Sequence, residues 1–174
     1  INENHKEIAL PFLLIYQKGS LLRSIEFNSN IIGVRSTDSY VFVSLESTIQ
    51  VLEIDTFNVV STIERTSKTG IIAISDQYVA YANDENIGYV TIAAVPGFSV
   101  LQNIQCHKDP ITTLSISEDG NLLVTSSTVG TLIRTFGIEN GKKLDEYRRG
   151  FTQSTIIATS ANDLLICAIS PSTL

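Results

Sequence analysis

Two adjacent arginines, in the stretch Tyr147-Arg148-Arg149-Gly150, are the residues of this sequence best suited to bind an anion. An arginine side chain is always charged, and its planar guanidinium can hold a phosphate through two parallel hydrogen bonds. Successive side chains of an extended strand point to opposite faces of its sheet. The pair could therefore serve two pockets, one on each side. The alternative is a solvated basic turn.

Short strands are the elements that must position this pair. Runs rich in β-branched and large apolar residues alternate with polar turns, and no stretch sustains a 3.6-residue apolar period. We therefore expect strands and almost no helix. The predicted strands are 12–16, 21–27, 31–35, 40–45, 48–54, 59–63, 71–75, 78–82, 88–93, 98–104, 111–116, 121–126, 131–136, 143–148, 155–159 and 164–169.

The predicted strands recur with a fixed period. Second strands through Val41, Val79, Leu123 and Leu165 are 38, 44 and 42 residues apart. A four-strand unit repeating at roughly 40–45 residues is typical of propeller blades, whereas a β-sandwich needs no such period. We predict an all-β partial propeller over residues 1–174 with antiparallel WD-like blades, in parts of about 8–28, 30–65, 70–105, 107–149 and 152–174. These four to five blades are too few for a seven-bladed ring.

Composition limits the classes of function. The chain has 174 residues and a net charge of −6, which argues against non-specific binding to nucleic acid or to anionic membranes. Residues 1–101 hold 6 basic and 11 acidic groups, whereas residues 102–150 hold 6 of each. Anion binding must therefore come from a local pocket. There is no methionine, and we expect an internal piece of a longer chain.

Other chemistry is not indicated. Cys106 and Cys167 lack the spacing of a metal or redox motif, and isolated cysteines suggest a reducing, intracellular setting. The uncharged stretch 86–106 is interrupted by Pro96-Gly97, so we expect two strands there and no transmembrane span. No nucleophile elbow, dinucleotide fingerprint, P-loop or paired histidine is found. We expect no catalytic residue, no metal, no cofactor and no enzyme activity.

Four pieces of the sequence resemble the PROPPIN family, the seven-bladed phosphoinositide-binding propellers that include the WIPI proteins. They are His107-Lys-Asp-Pro-Ile111, Val124-Thr-Ser-Ser-Thr-Val-Gly-Thr-Leu-Ile-Arg134, Gly141-Lys-Lys-Leu-Asp-Glu and Tyr147-Arg-Arg-Gly150. The family motif has Phe or Leu where this chain has Tyr147. The resemblance is strongest over residues 105–150.

The resemblance implies two phosphoinositide sites, one for each arginine. The first would comprise His107, Ser127, Thr131 and Arg148, with Arg148 on the phosphates and His107 against the inositol ring. The second would comprise Arg149, Thr152, Ser170 and Thr173. The family histidine that follows this threonine, and the apolar membrane-inserting loop, are not in this sequence.

Each residue also has a structural alternative. A histidine before the first strand of a WD-type blade, and hydroxyls on the second strand, commonly form an internal hydrogen-bond network, which would account for His107. Ser127 and Thr131 could be hydroxyls satisfied at strand ends. Arg134 lies in mid-strand, where we expect an ion pair or packing role.

By resemblance, the chain would bind phosphatidylinositol 3-phosphate and phosphatidylinositol 3,5-bisphosphate as a membrane-recruited adaptor in autophagy or endosomal traffic. It would be a cytoplasmic monomer, peripheral on endosomal, vacuolar or autophagic membranes, with autophagy-type protein partners and no nucleic acid. The alternative is a WD-type protein–protein scaffold that does not bind lipid.

Overall fold

The computed structural model describes residues 11–64, 69–83, 85–162 and 165–171, and every regular element in those ranges is a β-strand. The strands are β1 (Phe12–Gln17), β2 (Ser20–Glu26), β3 (Gly33–Ser36), β4 (Tyr40–Ser44), β5 (Thr48–Glu53), β6 (Val59–Glu64), β7 (Ile72–Ile74), β8 (Tyr78–Asn83), β9 (Tyr89–Ala94), β10 (Val100–Gln105), β11 (Ile111–Ile116), β12 (Leu122–Ser127), β13 (Leu132–Gly137), β14 (Lys143–Arg148), β15 (Ala158–Ala161) and β16 (Ile166–Ile169). The prediction of an all-β chain is confirmed.

Three complete sheets follow the order of the chain. They are β3-β4-β5-β6, β7-β8-β9-β10 and β11-β12-β13-β14, and all their pairings are antiparallel. Two further hairpins, β1-β2 and β15-β16, form two-stranded sheets. Short connections between neighbouring antiparallel strands explain this up-and-down order.

The sheets are arranged as propeller blades. The first strands of successive sheets contact one another, β3 with β7, β7 with β11 and β11 with β15. They therefore lie around a common axis, and the fourth strands lie outermost. All six residues of β14 are exposed, as expected for an outer strand. The prediction of a partial β-propeller with four-stranded blades is confirmed.

The core lies between the blades. Leu123 packs toward the preceding sheet, in a cluster with Ile92 and Phe136. Its neighbour Val124 packs in a separate cluster with Ile156, toward the following sheet. Side chains alternate between the faces of a strand, so a middle strand with a neighbour on each face must be apolar at consecutive positions. Removing such a side chain, as in Leu123→Ala, typically costs about 2–5 kcal/mol.

One strand begins later than the sequence predicts. The prediction was 155–159, but β15 begins at Ala158. The preceding residues bond instead to the loop between β12 and β13. The Ser154 amide donates to Val129 O at 3.3 Å, and the Thr155 hydroxyl donates to Thr128 O at 3.4 Å. This segment therefore follows the end of the neighbouring blade before it enters its own sheet.

Candidate anion-binding site

The four residues of the first predicted site belong to one end of the third complete sheet. Ser127 is the last residue of β12, Thr131 directly precedes β13, and Arg148 is the last residue of β14. His107 lies four residues before β11. Antiparallel pairing brings these strand ends together, and Arg148 is paired with Leu132.

Two glycines allow the close backbone contacts that shape this end. Gly88 has a φ of +79°, and a Cβ there would collide with the carbonyl of His107. The Gly88 carbonyl in turn accepts the His107 amide at 3.1 Å. Gly130 has a φ of +63°, and a Cβ there would collide with the carbonyl of Ser154. Both positions favour glycine because other residues rarely adopt this conformation.

His107 is buried and neutral. Its Nε2 lies 3.0 Å from Thr125 Oγ1, so the internal network expected of a WD-type blade is present. Burial, and after it the positive charge of Arg134, lower the pKa of His107 to about 4. At neutral pH the imidazole is therefore uncharged. It can share a hydrogen bond, but it does not supply a cation.

Ser127 and Thr131 keep unused hydroxyls. Neither side chain makes a hydrogen bond with the part of the chain that the structure describes. The described residues thus supply no partner for the alternative in which these are satisfied strand-end hydroxyls. Both line a cavity of about 110 Å³ beside His107. A water molecule takes about 30 Å³ of liquid, so this space suits a few waters or one phosphate group. The complete lining is His107, Lys108, Asp109, Ser127, Val129, Thr131, Leu132 and Arg134.

Arg134 lines this cavity but is held by other groups. Its Nε donates to Glu146 Oε2 at 2.8 Å, and its Nη1 donates to Cys106 O at 2.7 Å. The hydrogen bond from Arg134 lowers the pKa of Glu146. The expected ion-pair role of Arg134 is confirmed. Its charge still contributes to the potential at the cavity.

Arg148 is the free cation of the group. Its guanidinium makes no hydrogen bond or ion pair with the described residues. The Cζ atom lies 5.2 Å from the centroid of the Phe151 ring, within cation–π distance. Arg148 does not line the cavity of Ser127 and Thr131, but it leaves the sheet at the adjacent strand end. Its donors are therefore not used by the described residues.

Arg149 is in a different situation from its neighbour. Its Nε donates to Gly130 O at 2.7 Å, and its Nη2 donates to Thr152 O at 2.6 Å. The Arg149 amide also donates to Thr131 O at 2.9 Å. The side chain thus ties the segment after β14 to the loop before β13. Since a guanidinium has five N–H donors, part of its capacity is still unused.

The other residues of the second predicted site are only partly described. Thr152 meets Arg149 through its backbone carbonyl, and its side chain is exposed. Ser170 is half-buried, directly after β16, and makes no hydrogen bond with Arg149. Thr173 lies outside the described residues. The second site therefore stays a prediction with less support than the first.

Two residues that shape this end were missed at the sequence level. Thr125, the partner of His107, lies two positions before Ser127, and the two-residue period of a strand could have placed both on one face. Phe151 follows Gly150 directly and is 90% exposed. Its position beside Arg148 depends on the backbone path after β14, for which the sequence has no signal.

Within the described ranges, no helix is long and apolar enough to cross a membrane, and no three His, Cys, Asp or Glu residues are grouped to hold a metal ion. Cys106 is buried, and desolvation raises the pKa of its thiol to about 12. The thiol is therefore protonated at neutral pH and is not a reactive nucleophile.

The fold and the strand-end motifs define a WD-type β-propeller, and comparison with known proteins shows the family. The PROPPIN family model matches residues 7–173, so the chain belongs to the PROPPIN family.

Two curated relatives illustrate the similarity. The chain is 29% identical over 152 residues to "WD repeat domain phosphoinositide-interacting protein 2" of Mus musculus, covering 84% of this chain and 34% of that protein. It is 27% identical over 173 residues to "Autophagy-related protein 21" of Schizosaccharomyces pombe, covering 97% of this chain and 51% of that protein. The chain thus spans about a third to a half of the length of these relatives.

A solved structure shows the same fold. Kluyveromyces lactis Hsv2 superposes with a TM-score of 0.79 at 20% identity, covering 91% of this chain and 52% of that one. At this identity the likeness concerns the fold alone.

Proposed function

We propose that this chain binds the headgroups of phosphatidylinositol 3-phosphate and phosphatidylinositol 3,5-bisphosphate, as a non-catalytic, membrane-recruited adaptor in autophagy or endosomal traffic. The observation that carries the proposal is the unpaired guanidinium of Arg148 on a residue that pairs with Leu132, at the strand end where Ser127 and Thr131 line a cavity with unbonded hydroxyls. The curated relative named as a phosphoinositide-interacting protein supports the ligand class.

Each residue of the first site has a role that fits its environment. Arg148 would donate to phosphate oxygens in the bidentate manner that suits a guanidinium. Ser127 and Thr131 would donate from the cavity wall to phosphate or inositol oxygens. His107, neutral and bonded to Thr125, would present its ring edge to the bound headgroup and hold β12 in place. A charge-assisted hydrogen bond contributes about 1.5–3 kcal/mol.

A second headgroup would bind around Arg149, with Thr152, Ser170 and Thr173. The donors of Arg149 that are not bonded to Gly130 and Thr152 carbonyls would face this ligand. Two weak sites on one edge of the propeller would gain avidity at a membrane that displays many headgroups.

The names of the relatives support the cellular setting that we propose. Proteins named as autophagy-related and phosphoinositide-interacting support a cytoplasmic protein, peripheral on endosomal, vacuolar or autophagic membranes, with autophagy-type protein partners. We propose a monomer. The net charge of −6 supports the absence of a nucleic-acid partner.

The test is sedimentation with lipid vesicles. We expect the chain to pellet with phosphatidylcholine vesicles that carry phosphatidylinositol 3-phosphate, and to stay in the supernatant with phosphatidylcholine alone. A second set of vesicles carries phosphatidylinositol 3,5-bisphosphate, and we expect the chain to pellet with these as well. Equal recovery with and without the phosphoinositide would contradict the proposal.

A protein–protein scaffold without lipid binding is the second candidate. It is favoured by one solved relative, described as a complex of an Atg21 protein with a coiled coil of Atg16 and superposing with a TM-score of 0.75. A chain that captured such a coiled coil but pelleted with no phosphoinositide vesicle would favour this candidate.

A further inference from the structure

Phe151 is the most exposed large apolar side chain in the described part of the chain. It is 90% exposed, and the next in rank, Leu165, is 64% exposed. A single exposed apolar residue is ordinary, but an aromatic ring that is almost wholly in water has no packing role. The ring is therefore available for a contact beyond the described residues.

The segment that carries this ring is fixed on both sides. The Arg149 guanidinium holds the Thr152 carbonyl at 2.6 Å and the Gly130 carbonyl at 2.7 Å. Further along, the Ser154 amide donates to Val129 O. Phe151 thus projects from a turn anchored to the loop that bears Thr131. The ring therefore stands at a defined place beside Arg148.

The ring is also paired with the free cation of that site. Arg148 Cζ lies 5.2 Å from the ring centroid, and the Arg148 guanidinium has no other partner among the described residues. An aromatic ring next to an arginine suits the lipid–water interface, where the ring enters the acyl boundary and the cation stays with the phosphates. A free headgroup would satisfy the cation but leave the ring in water.

We infer that Phe151 is a membrane contact: it enters the interfacial layer of the bilayer whose phosphorylated headgroup Arg148 holds. The inference rests on the proposed phosphoinositide function and adds an apolar contact to it. The partner is a lipid surface, so Phe151 raises the affinity for a headgroup in a membrane and not for the same headgroup in solution.

A single-tryptophan reporter tests the inference, because the chain contains no tryptophan. We expect the emission of Phe151→Trp to shift to the blue with phosphatidylcholine vesicles that carry phosphatidylinositol 3-phosphate, and to be quenched by brominated acyl chains. Leu144→Trp is the matched control. Leu144 is 54% exposed on the same strand as Arg148 but at its other end, and its emission should not change.

Affinities separate a membrane contact from a positioning role. Phe151→Ala should weaken vesicle binding roughly tenfold, the order expected for removing a buried aromatic ring from an apolar layer. Phe151→Leu keeps the apolar surface without the cation–π pair and should retain most of the binding. Binding of the soluble inositol 1,3-bisphosphate headgroup should be the same in all three proteins.

The outcomes are distinguishable. If vesicle binding is intact but the emission of Phe151→Trp does not shift, the inference is wrong and the proposed function stands. If Phe151→Ala weakens headgroup and vesicle binding equally, Phe151 acts through Arg148 and the membrane contact is also wrong. If the unaltered chain binds neither vesicles nor the headgroup, the proposed function falls and the inference falls with it.

Discussion

The first and third complete blades pair their third and fourth strands alike at the same end, but carry opposite charge there. In the first blade, Ser47 directly precedes β5 as Thr131 precedes β13. Leu45 holds the position of Ser127, because Ser44 pairs with Ile49 as Ser126 pairs with Ile133. In the first blade, the opening residue of β5 pairs with Glu64, the last residue of β6. In the third blade, the corresponding residue is Arg148. A carboxylate thus occupies the position of the cation.

The difference shows that the blade fold sets the strand-end positions, whereas the side chains at those positions determine whether an anion can bind. In the first blade the position of Ser127 is held by the buried, apolar Leu45, and the neighbouring Ser44 is fully buried with no partner for its Oγ. Ser127, by contrast, lines an open cavity. In the middle blade the equivalent of Arg148 is neutral Gln105, paired with Tyr89. Among these three blades, only the third combines a cation at this strand end with two hydroxyls that line a cavity.

Reversing the charge at Arg148 should make the third blade equivalent to the first. We expect Arg148→Glu to lower the affinity for phosphatidylinositol 3-phosphate vesicles roughly a hundredfold, because it removes charge-assisted hydrogen bonds and adds repulsion. Isothermal titration or flotation measures the loss. Lys143→Glu, at the far end of β14, is the matched charge control and should bind nearly as the unaltered chain does. Equal losses in both variants would mean that overall charge, and not the site, controls binding.

His107 gives the third blade a pH dependence of stability. Because its folded pKa of about 4 lies below the ordinary value of 6.5, the unfolded state binds the proton first as the pH falls. The stabilising contribution is complete above pH 6.5 and is lost between there and pH 4. We expect the free energy of unfolding to fall by about 2 kcal/mol from pH 7.5 to pH 5 on this account.

The His107 contribution is isolated by comparing His107→Gln with the unaltered chain in denaturant titrations at both pH values. Carboxylates titrate alike in the two proteins, so the difference between them reports His107. His107→Gln should remove most of the decrease in the free energy of unfolding between pH 7.5 and pH 5. An unchanged pH dependence in this variant would contradict the buried, neutral state of the imidazole.

The two adjacent arginines should separate binding from stability. Arg149→Ala loses bonds to the Gly130 and Thr152 carbonyls and should lower the free energy of unfolding by about 1–2 kcal/mol. Arg148→Ala loses only an exposed cation–π contact and should lower it by less than about 1 kcal/mol. Thermal and denaturant unfolding measure both. If Arg148→Ala lowered the free energy of unfolding more than Arg149→Ala, Arg149 would not be the structural arginine of the pair.

Restoring the cation in the first blade should have the smallest effect. We expect Glu64→Arg, made in the Arg148→Glu background, to leave vesicle binding at its reduced level, because the apolar, buried Leu45 stands there in place of Ser127. Sedimentation with phosphatidylinositol 3-phosphate vesicles checks this. Recovered binding would show that a cation at a blade end is sufficient and that the group around Arg148 is not required.

Much of the fold could be predicted from the sequence, because each blade repeats one local pattern. Apolar β-branched runs between polar turns located the strands, and the period of about 40 residues indicated blades and not a sandwich. The start of β15 could not be predicted, since it depends on bonds from Ser154 and Thr155 to a loop of the neighbouring blade. Those bonds have no local sequence signal.

The candidate site was only partly predictable. The repeat order and the family resemblance placed Ser127, Thr131 and Arg148 at one blade end, and the structure places the two hydroxyls in a single cavity. The different roles of Arg148 and Arg149 were not accessible, because an arginine pair has the same local chemistry until the backbone carbonyls around it are placed. The pairing of Phe151 with Arg148 depends on the same backbone path.

The most direct test locates the bound headgroup by NMR. Soluble inositol 1,3-bisphosphate would be titrated into the ¹⁵N-labelled chain, with Arg148→Glu as the paired sample. We expect the largest amide shift changes at Ser127, Thr131 and Arg148, and their disappearance in the variant. Shift changes centred on Ser44 and Ser47, or shifts that persist unchanged in Arg148→Glu, would contradict the assignment of phosphoinositide binding to the end of the third blade.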